Sequence, residues 1–130
     1  MLAILSNKIR NKKIAFLGVT FKPNTDDMRE SSSLLMIPFL AKKGAIIHYY
    51  DPSGKKNEFS KSKNVFFSNN IDKACDNADL VIIHTDWEEF KVLDFKKLSK
   101  SKKFKIFDMR NLYSKKIIKR MGFSYYSIGR

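Results

Sequence analysis

Ile14-Ala-Phe-Leu-Gly-Val19 is a six-residue run without a polar side chain, closed by Lys13 on one side and Thr20 on the other. So short and so uniformly apolar a segment is the pattern of a strand covered on both faces. Helical crossovers impose that condition on parallel sheets. Residues 45–50, stopped by Asp51-Pro52, also predict a strand, as do Asp79-Leu-Val-Ile-Ile-His84 and Phe104-Lys-Ile-Phe-Asp108. Val65-Phe66-Phe67 predicts a short edge strand, and residues 123–128 a last strand that ends the sheet.

Helix signals lie between these runs. Ser31-Ser32-Ser33 offers N-caps ahead of Leu34-Leu-Met-Ile, while Lys42-Lys43-Gly44 supplies a basic last turn and a glycine just past it. Pro38 falls inside this helix and is expected to kink or shorten it. Asn70 predicts the cap of a helix over 71–77, a short helical segment is expected near 94–98, and Ser114 caps one over 115–121 that Gly122 closes. Residues 53–63, SGKKNEFSKSK, read as a polar surface loop, the least structured part of the chain. Leu2, Leu5 and Ile9 make one helical stripe within residues 1–11, too short to be stable alone. Strands that alternate with helices give an α/β class: a Rossmann-like, doubly wound, mostly parallel sheet in a three-layer sandwich.

A chain of 130 residues suits a single domain with a real core. Its one cysteine excludes a disulfide framework. No apolar run reaches the ~18–20 residues of a membrane span, and the opening Met-Leu-Ala-Ile-Leu-Ser is too short for a signal-peptide core. The expectation is a soluble, cytoplasmic protein with no membrane contact. Lys and Arg number 26 against 13 Asp and Glu, a net charge of +13 that makes polyanions the first partners to consider. The lysines are scattered, however, from Lys12-Lys13 to Lys115-Lys116, and no groove-docking helix or aromatic stacking motif accompanies them. No nucleic-acid partner is expected; the positive potential favours small phosphorylated ligands.

Ligands of doubly wound sheets sit beyond the carboxyl ends of the strands, which directs attention to the loops starting at Thr20, Asp51, His84 and Asp108. The first loop has one glycine, in Gly18-Val-Thr-Phe-Lys22, where a dinucleotide fold carries G-x-G-x-x-G. That argues against NAD held here in the usual manner. The loop does carry Lys22 and Arg29 beside Asp26, Asp27 and Glu30, just ahead of a helix N-terminus. Two readings stay open: cations that grip phosphate or carboxylate oxygens, or a solvated turn with internal ion pairs. Likewise Arg110, in Asp108-Met-Arg-Asn111, either points over the same sheet edge or pairs with Asp108 at the surface. Trp87 reads as a core anchor, Asp51 as a turn residue before Pro52, and Cys75 as a buried, inert thiol. His48 and His84 fall in no metal-ligand spacing and take no role. No catalytic residue and no metal site is assigned.

Phe21-Lys22-Pro-Asn-Thr-Asp-Asp-Met-Arg29-Glu-Ser, Tyr50-Asp51-Pro52, Ala78-Asp79, Thr85-Asp-Trp-x-x-Phe90 and Asp108-Met-Arg110-Asn, in this order, resemble the C-terminal domain of the UDP-glucose/GDP-mannose dehydrogenase family. The likeness spans residues 12–128, and the Trp-containing loop is closer to the UDP-glucose 6-dehydrogenase branch. The resemblance implies a UDP-glucose/GDP-mannose dehydrogenase C-terminal-like nucleotide-sugar-binding domain over 12–130, with residues 1–11 as a remnant of the domain-linking helix. In that family the C6 alcohol of a nucleotide sugar is oxidised to a carboxylate in two NAD-dependent steps. The cofactor NAD is bound mainly by an N-terminal domain, and the parent enzyme is a homodimer. The implied partners are thus a UDP-sugar and that NAD-binding N-terminal half.

By the same likeness Phe21 and Lys22 lie against the nucleotide sugar, Arg110 contacts substrate, and Arg29 reaches NAD in the interdomain cleft. Met109 departs from the family, which has glycine before this arginine, and puts the local turn at Arg110 in question. The family's catalytic cysteine has no counterpart in the surroundings of Cys75, so the chain is expected to be inactive alone. The alternative is a stand-alone nucleotide- or polyanion-binding module without catalysis.

Overall fold

The structure, a computed structural model, describes residue 4 and residues 8–128. Six strands form one sheet: β1 (Lys13–Leu17), β2 (Ile46–Tyr50), β3 (Val65–Phe67), β4 (Leu80–Ile83), β5 (Lys105–Asp108) and β6 (Tyr125–Ser127). All pairings are parallel and the spatial order is β3-β2-β1-β4-β5-β6. Among the described residues four α-helices accompany them: α1 (Ser33–Lys42), α2 (Ile71–Cys75), α3 (Phe95–Leu98) and α4 (Lys115–Arg120). The doubly wound α/β class read from the apolar runs is the observed one. The strand order reverses between β1 and β4, and a crevice opens there beyond their carboxyl ends.

Alternation explains why β1 needs no polar residue. Ile14 and Phe16 point to one face, where Ile47, Tyr49, Leu80 and Ile82 join Ile37 and Leu40 of α1. Ala15 and Leu17 point to the other, where Val81, Ile83 and Ile106 meet Ala74 and Cys75 of α2 and Ile118 of α4. Those two faces, each with its helices, make the three layers. Phe95, Phe104 and Phe123 fill the second face with mutually edge-on or stacked rings. Burial there pushes the Cys75 thiol up to about 12, which leaves it without thiolate near neutral pH.

Three local expectations change. Pro38 neither ends nor shortens α1, which runs ten residues through it; the proline is exposed, with its ring on the solvent side. The 53–63 loop is more ordered than its polarity suggests. Asn57–Phe59 form a 3₁₀ turn that buries Phe59 against Tyr49, ring centroids 5.1 Å apart, and Lys56 is buried beside it. Asn70, Asp94 and Ser114 cap α2, α3 and α4 through their side chains, whereas the serines ahead of α1 do not. The helical stripe over residues 1–11 lies mostly outside the described residues. Of the residues ahead of β1, Ile4 and Ile9 are buried in the first core.

Candidate functional site

The β1 loop is built from its first residue outward. Gly18 adopts φ +82°, a region glycine enters at no steric cost, and donates its N–H to the Tyr50 carbonyl at 2.8 Å. The next two amides, Val19 and Thr20, donate to Asp51 Oδ2 at 2.8 and 3.3 Å. Asp51 Oδ1 in turn accepts from the Ser53 amide and hydroxyl at 2.9 and 2.5 Å. The Asp-Pro dipeptide thus does more than turn the chain: a buried carboxylate at the end of β2 fixes the loop of β1. These amides are where a dinucleotide fold would receive pyrophosphate, and here they are occupied by the chain's own carboxylate.

The three serines at the start of α1 belong to the same crevice. Ser31 and Ser33 both donate to the Val19 carbonyl, at 2.5 and 2.6 Å. Ser32 instead reaches His84 Nε2 at 2.8 Å. The expected caps are therefore mainly tertiary ties: the Ser31 and Ser33 hydroxyls donate to the loop after β1, and only Ser31 Oγ also accepts a helix amide, from Ser33 at 3.3 Å.

Arg110 is carried by the loop after β5. Its Nε donates to the His84 carbonyl at 2.7 Å and its Nη2 approaches the Phe21 carbonyl at 3.4 Å. The Asp108 carboxylate does not pair with the guanidinium. It is fully buried and accepts from the amides of Arg110, Leu112 and Tyr113 and from the Tyr125 hydroxyl. Of the two readings of Arg110, the one over the sheet edge holds. Met109 demands no glycine, since positive φ falls two residues on, at Asn111 (φ 55°); its side chain packs against the first core.

Phe21, about half exposed, consequently meets Arg110 at one rim, and Lys22 is the next residue along the loop. A hollow of ≈ 440 Å³ adjoins it, lined by Phe21, Lys22, Asp27, Arg29 and Glu30. Lys22 enters no ion pair among the described residues. Arg29 does: its Nε and Nη2 lie 3.0 and 3.1 Å from the two Asp27 oxygens. The fork holds the Asp27 carboxyl below its usual range, and the carboxylate raises the pKa of the arginine. The loop thus holds the internal ion pair of the second reading at Arg29, while Lys22 is in no such pair among the described residues.

The Thr85-Asp-Trp-Glu-Glu-Phe90 loop closes the crevice from β4. Phe90 is fully buried, Trp87 packs on the second core with its indole N–H buried and without an acceptor among the described residues, and Tyr50 donates to Glu89 at 3.1 Å. His84, to which sequence reasoning assigned nothing, is the residue it missed. Only its place at a strand end beside the motif signals it.

Burial, aided by the Arg110 charge, lowers the His84 pKa from 6.5 to about 4. Between those values the unfolded chain takes up a proton that the folded chain does not. The stability His84 contributes is therefore full above pH 6.5 and lost as pH falls through about 4, on the order of 3 kcal/mol. His48, lowered by burial too, acts in the same sense. Urea unfolding between pH 7 and 4.5 is expected to show this decline in the native chain and most of it gone in His84→Leu. Equal slopes would contradict the assignment.

No described helix is long and apolar enough to cross a membrane. Among the described residues, no three His, Cys, Asp or Glu side chains cluster as metal ligands.

Residues 15–115 match the model of the UDP-glucose/GDP-mannose dehydrogenase family, UDP binding domain. The chain is 40% identical over its full length to a UDP-glucose 6-dehydrogenase of Rhizobium meliloti (strain 1021), of which it spans 30%. It is 36% identical over 97% of its length to one of Rickettsia bellii, again spanning 30% of that protein. Among solved structures, an NDP-N-acetyl-D-galactosaminuronic acid dehydrogenase from Methanosarcina mazei Go1 superimposes with TM-score 0.82 at 28% identity, covering 99% of this chain and 27% of that one. A UDP-glucose dehydrogenase from Pyrobaculum islandicum gives 0.74 at 27% identity, covering 96% and 27%. With the family model matching most of the chain and a relative 40% identical over its full length, the chain belongs to the UDP-glucose/GDP-mannose dehydrogenase family, as its UDP-binding domain.

Proposed function

We propose that these residues bind the nucleotide sugar of an NAD-dependent UDP-glucose 6-dehydrogenase, which converts UDP-glucose to UDP-glucuronate. The observation that carries this reading is the Arg110 guanidinium, from the loop after β5, beside the carbonyl of Phe21, the residue before Lys22 in the loop after β1. Two such cations at one crevice suit a diphosphate: lysine as a point charge, arginine as a planar fork. Phe21, exposed at the rim, offers apolar surface to the rest of the ligand.

A bound NAD would supply the hydride acceptor for oxidation of the sugar alcohol. This chain's own switch point does not suit a dinucleotide, because the Asp51 carboxylate already accepts from the Val19 and Thr20 amides. The cofactor belongs mainly to a separate N-terminal domain, with Arg29 reaching toward it once its fork leaves Asp27. The partners are that domain, the UDP-sugar and a second copy of the parent enzyme. Cys75 supplies no nucleophile, since its thiol is buried and pushed up to about 12.

Titrating UDP into the chain tests the reading. Lys22→Ala is expected to weaken UDP at least about tenfold, roughly 1.4 kcal/mol, with the fold unchanged by circular dichroism. Unaltered affinity would refute it. DNA or RNA binding that falls steeply with salt, with no preference for UDP, would favour a polyanion module instead. With UDP-glucose, the 130 residues alone are expected to leave NAD⁺ unreduced.

A further inference from the structure

We propose that His84 is a positioning residue of the rim, its ring and carbonyl holding α1, the β1 loop and Arg110 in one arrangement. The inference rests on the UDP-site reading and names a residue within that site. His84 is 2% exposed, yet all its polar atoms are engaged. Its amide donates to the Leu17 carbonyl at 2.9 Å and its carbonyl receives Arg110 Nε at 2.7 Å. Nδ1 lies 3.1 Å from Thr85 Oγ1, whose own proton goes to the Thr20 carbonyl at 2.8 Å.

A hydroxyl has one proton, so Thr85 Oγ1 can only accept from Nδ1. The neutral ring is then protonated at Nδ1, and Nε2 accepts from Ser32 Oγ at 2.8 Å. This tautomer follows from the network rather than from hydrogen positions. The charged groups facing His84 are Arg110, which disfavours a second proton, and Asp51, which favours one; burial outweighs both. Phe16 covers the ring with centroids 5.1 Å apart. His84 therefore joins three segments: Ser32 at the start of α1 and Arg110 from the loop after β5 directly, and Thr20, just before Phe21 and Lys22, through Thr85.

A role limited to packing would lower stability and leave the folded rim unaltered. A positioning role also changes how Arg110 and UDP are held. The experiment uses the whole chain with His84→Leu, which removes both ring bonds, and His84→Gln, which can return an acceptor toward Ser32. The readouts are UDP affinity by calorimetry and solvent exchange of the Arg110 Nε proton by NMR. In His84→Leu, UDP is expected to bind about 5–10-fold more weakly. The Nε proton is expected to exchange at least about tenfold faster. His84→Gln is expected to restore both to within about threefold of native. Should His84→Leu fail to fold, Ser32→Ala removes only the hydroxyl that Nε2 accepts from and is read in the same way. Native UDP affinity or native Nε exchange in the folded variant overturns the proposal. If the native chain does not bind UDP, the functional reading fails while the Arg110 exchange still decides the role of His84.

Discussion

Replacing Asp108 by Ala is expected to cost about 5 kcal/mol of unfolding free energy, read as a lower urea midpoint. The carboxylate is fully buried at the end of β5 and is the acceptor for the amides of Arg110, Leu112 and Tyr113 and for the Tyr125 hydroxyl at 2.6 Å. Alanine leaves those donors facing a cavity. Each buried group without a partner costs roughly 1–3 kcal/mol, so partial rescue by entering water still leaves a large loss. The folded state of a domain this size stands only about 5–15 kcal/mol above the unfolded one. The variant is therefore expected to lie at the edge of folding, with Arg110 released along with its loop. Glu58→Ala, which removes an exposed carboxylate, is expected to change stability by less than about 0.5 kcal/mol. A loss of under about 1 kcal/mol in Asp108→Ala would mean that the loop does not depend on this acceptor.

Gly18→Ala is expected to be nearly as damaging, about 3–5 kcal/mol, for a different reason. Alanine at φ +82° carries a backbone penalty. In addition, its Cβ would stand 2.6 Å from Thr85 Cβ and 2.9 Å from the Thr85 amide, so the end of β4 has to move. Gly54 separates the two contributions: it has φ +99° but nothing within 4 Å of an added Cβ. Gly54→Ala is expected to cost only about 1 kcal/mol. Equal losses in the two variants would show that backbone conformation alone matters at Gly18. Because Thr85 also bonds Thr20 and His84, Gly18→Ala is further expected to weaken UDP at the rim.

Much of this architecture is legible along the chain. The strand signal is local: a residue buried on either face of a sheet must be apolar, so Ile14 to Leu17 and Leu80 to Ile83 announce themselves. The caps at Asn70, Asp94 and Ser114 are local as well, since each side chain reaches an amide three residues on. Pro38 misleads because the sequence does not show that this interior helix position falls on the exposed side of α1, where water can take the carbonyl its missing N–H leaves free. Ser31 and Ser33 mislead because their acceptor, Val19, is not local at all. Phe59 is buried from within a polar stretch because Tyr49, a residue of another element, presents a surface to it. The motif around Lys22 and Arg29 is dense enough in charge to mark a site, but its pattern does not say which cation is already paired.

By itself the sequence determined the α/β class, the number and place of the strands, and the loops where chemistry gathers. Burial and capping act over a few residues, so they leave a readable trace there. Only the tertiary structure decided that Arg29 closes on Asp27 while Lys22 stays open, that Asp51 occupies the amides a pyrophosphate would use, and that His84 links the rim. It also brought Arg110 to a carbonyl 89 positions away. Those outcomes depend on which donors and acceptors meet once the sheet is assembled in its order. Hydrogen-bond partners separated by tens of residues are chosen by distance in space, which a linear pattern does not contain.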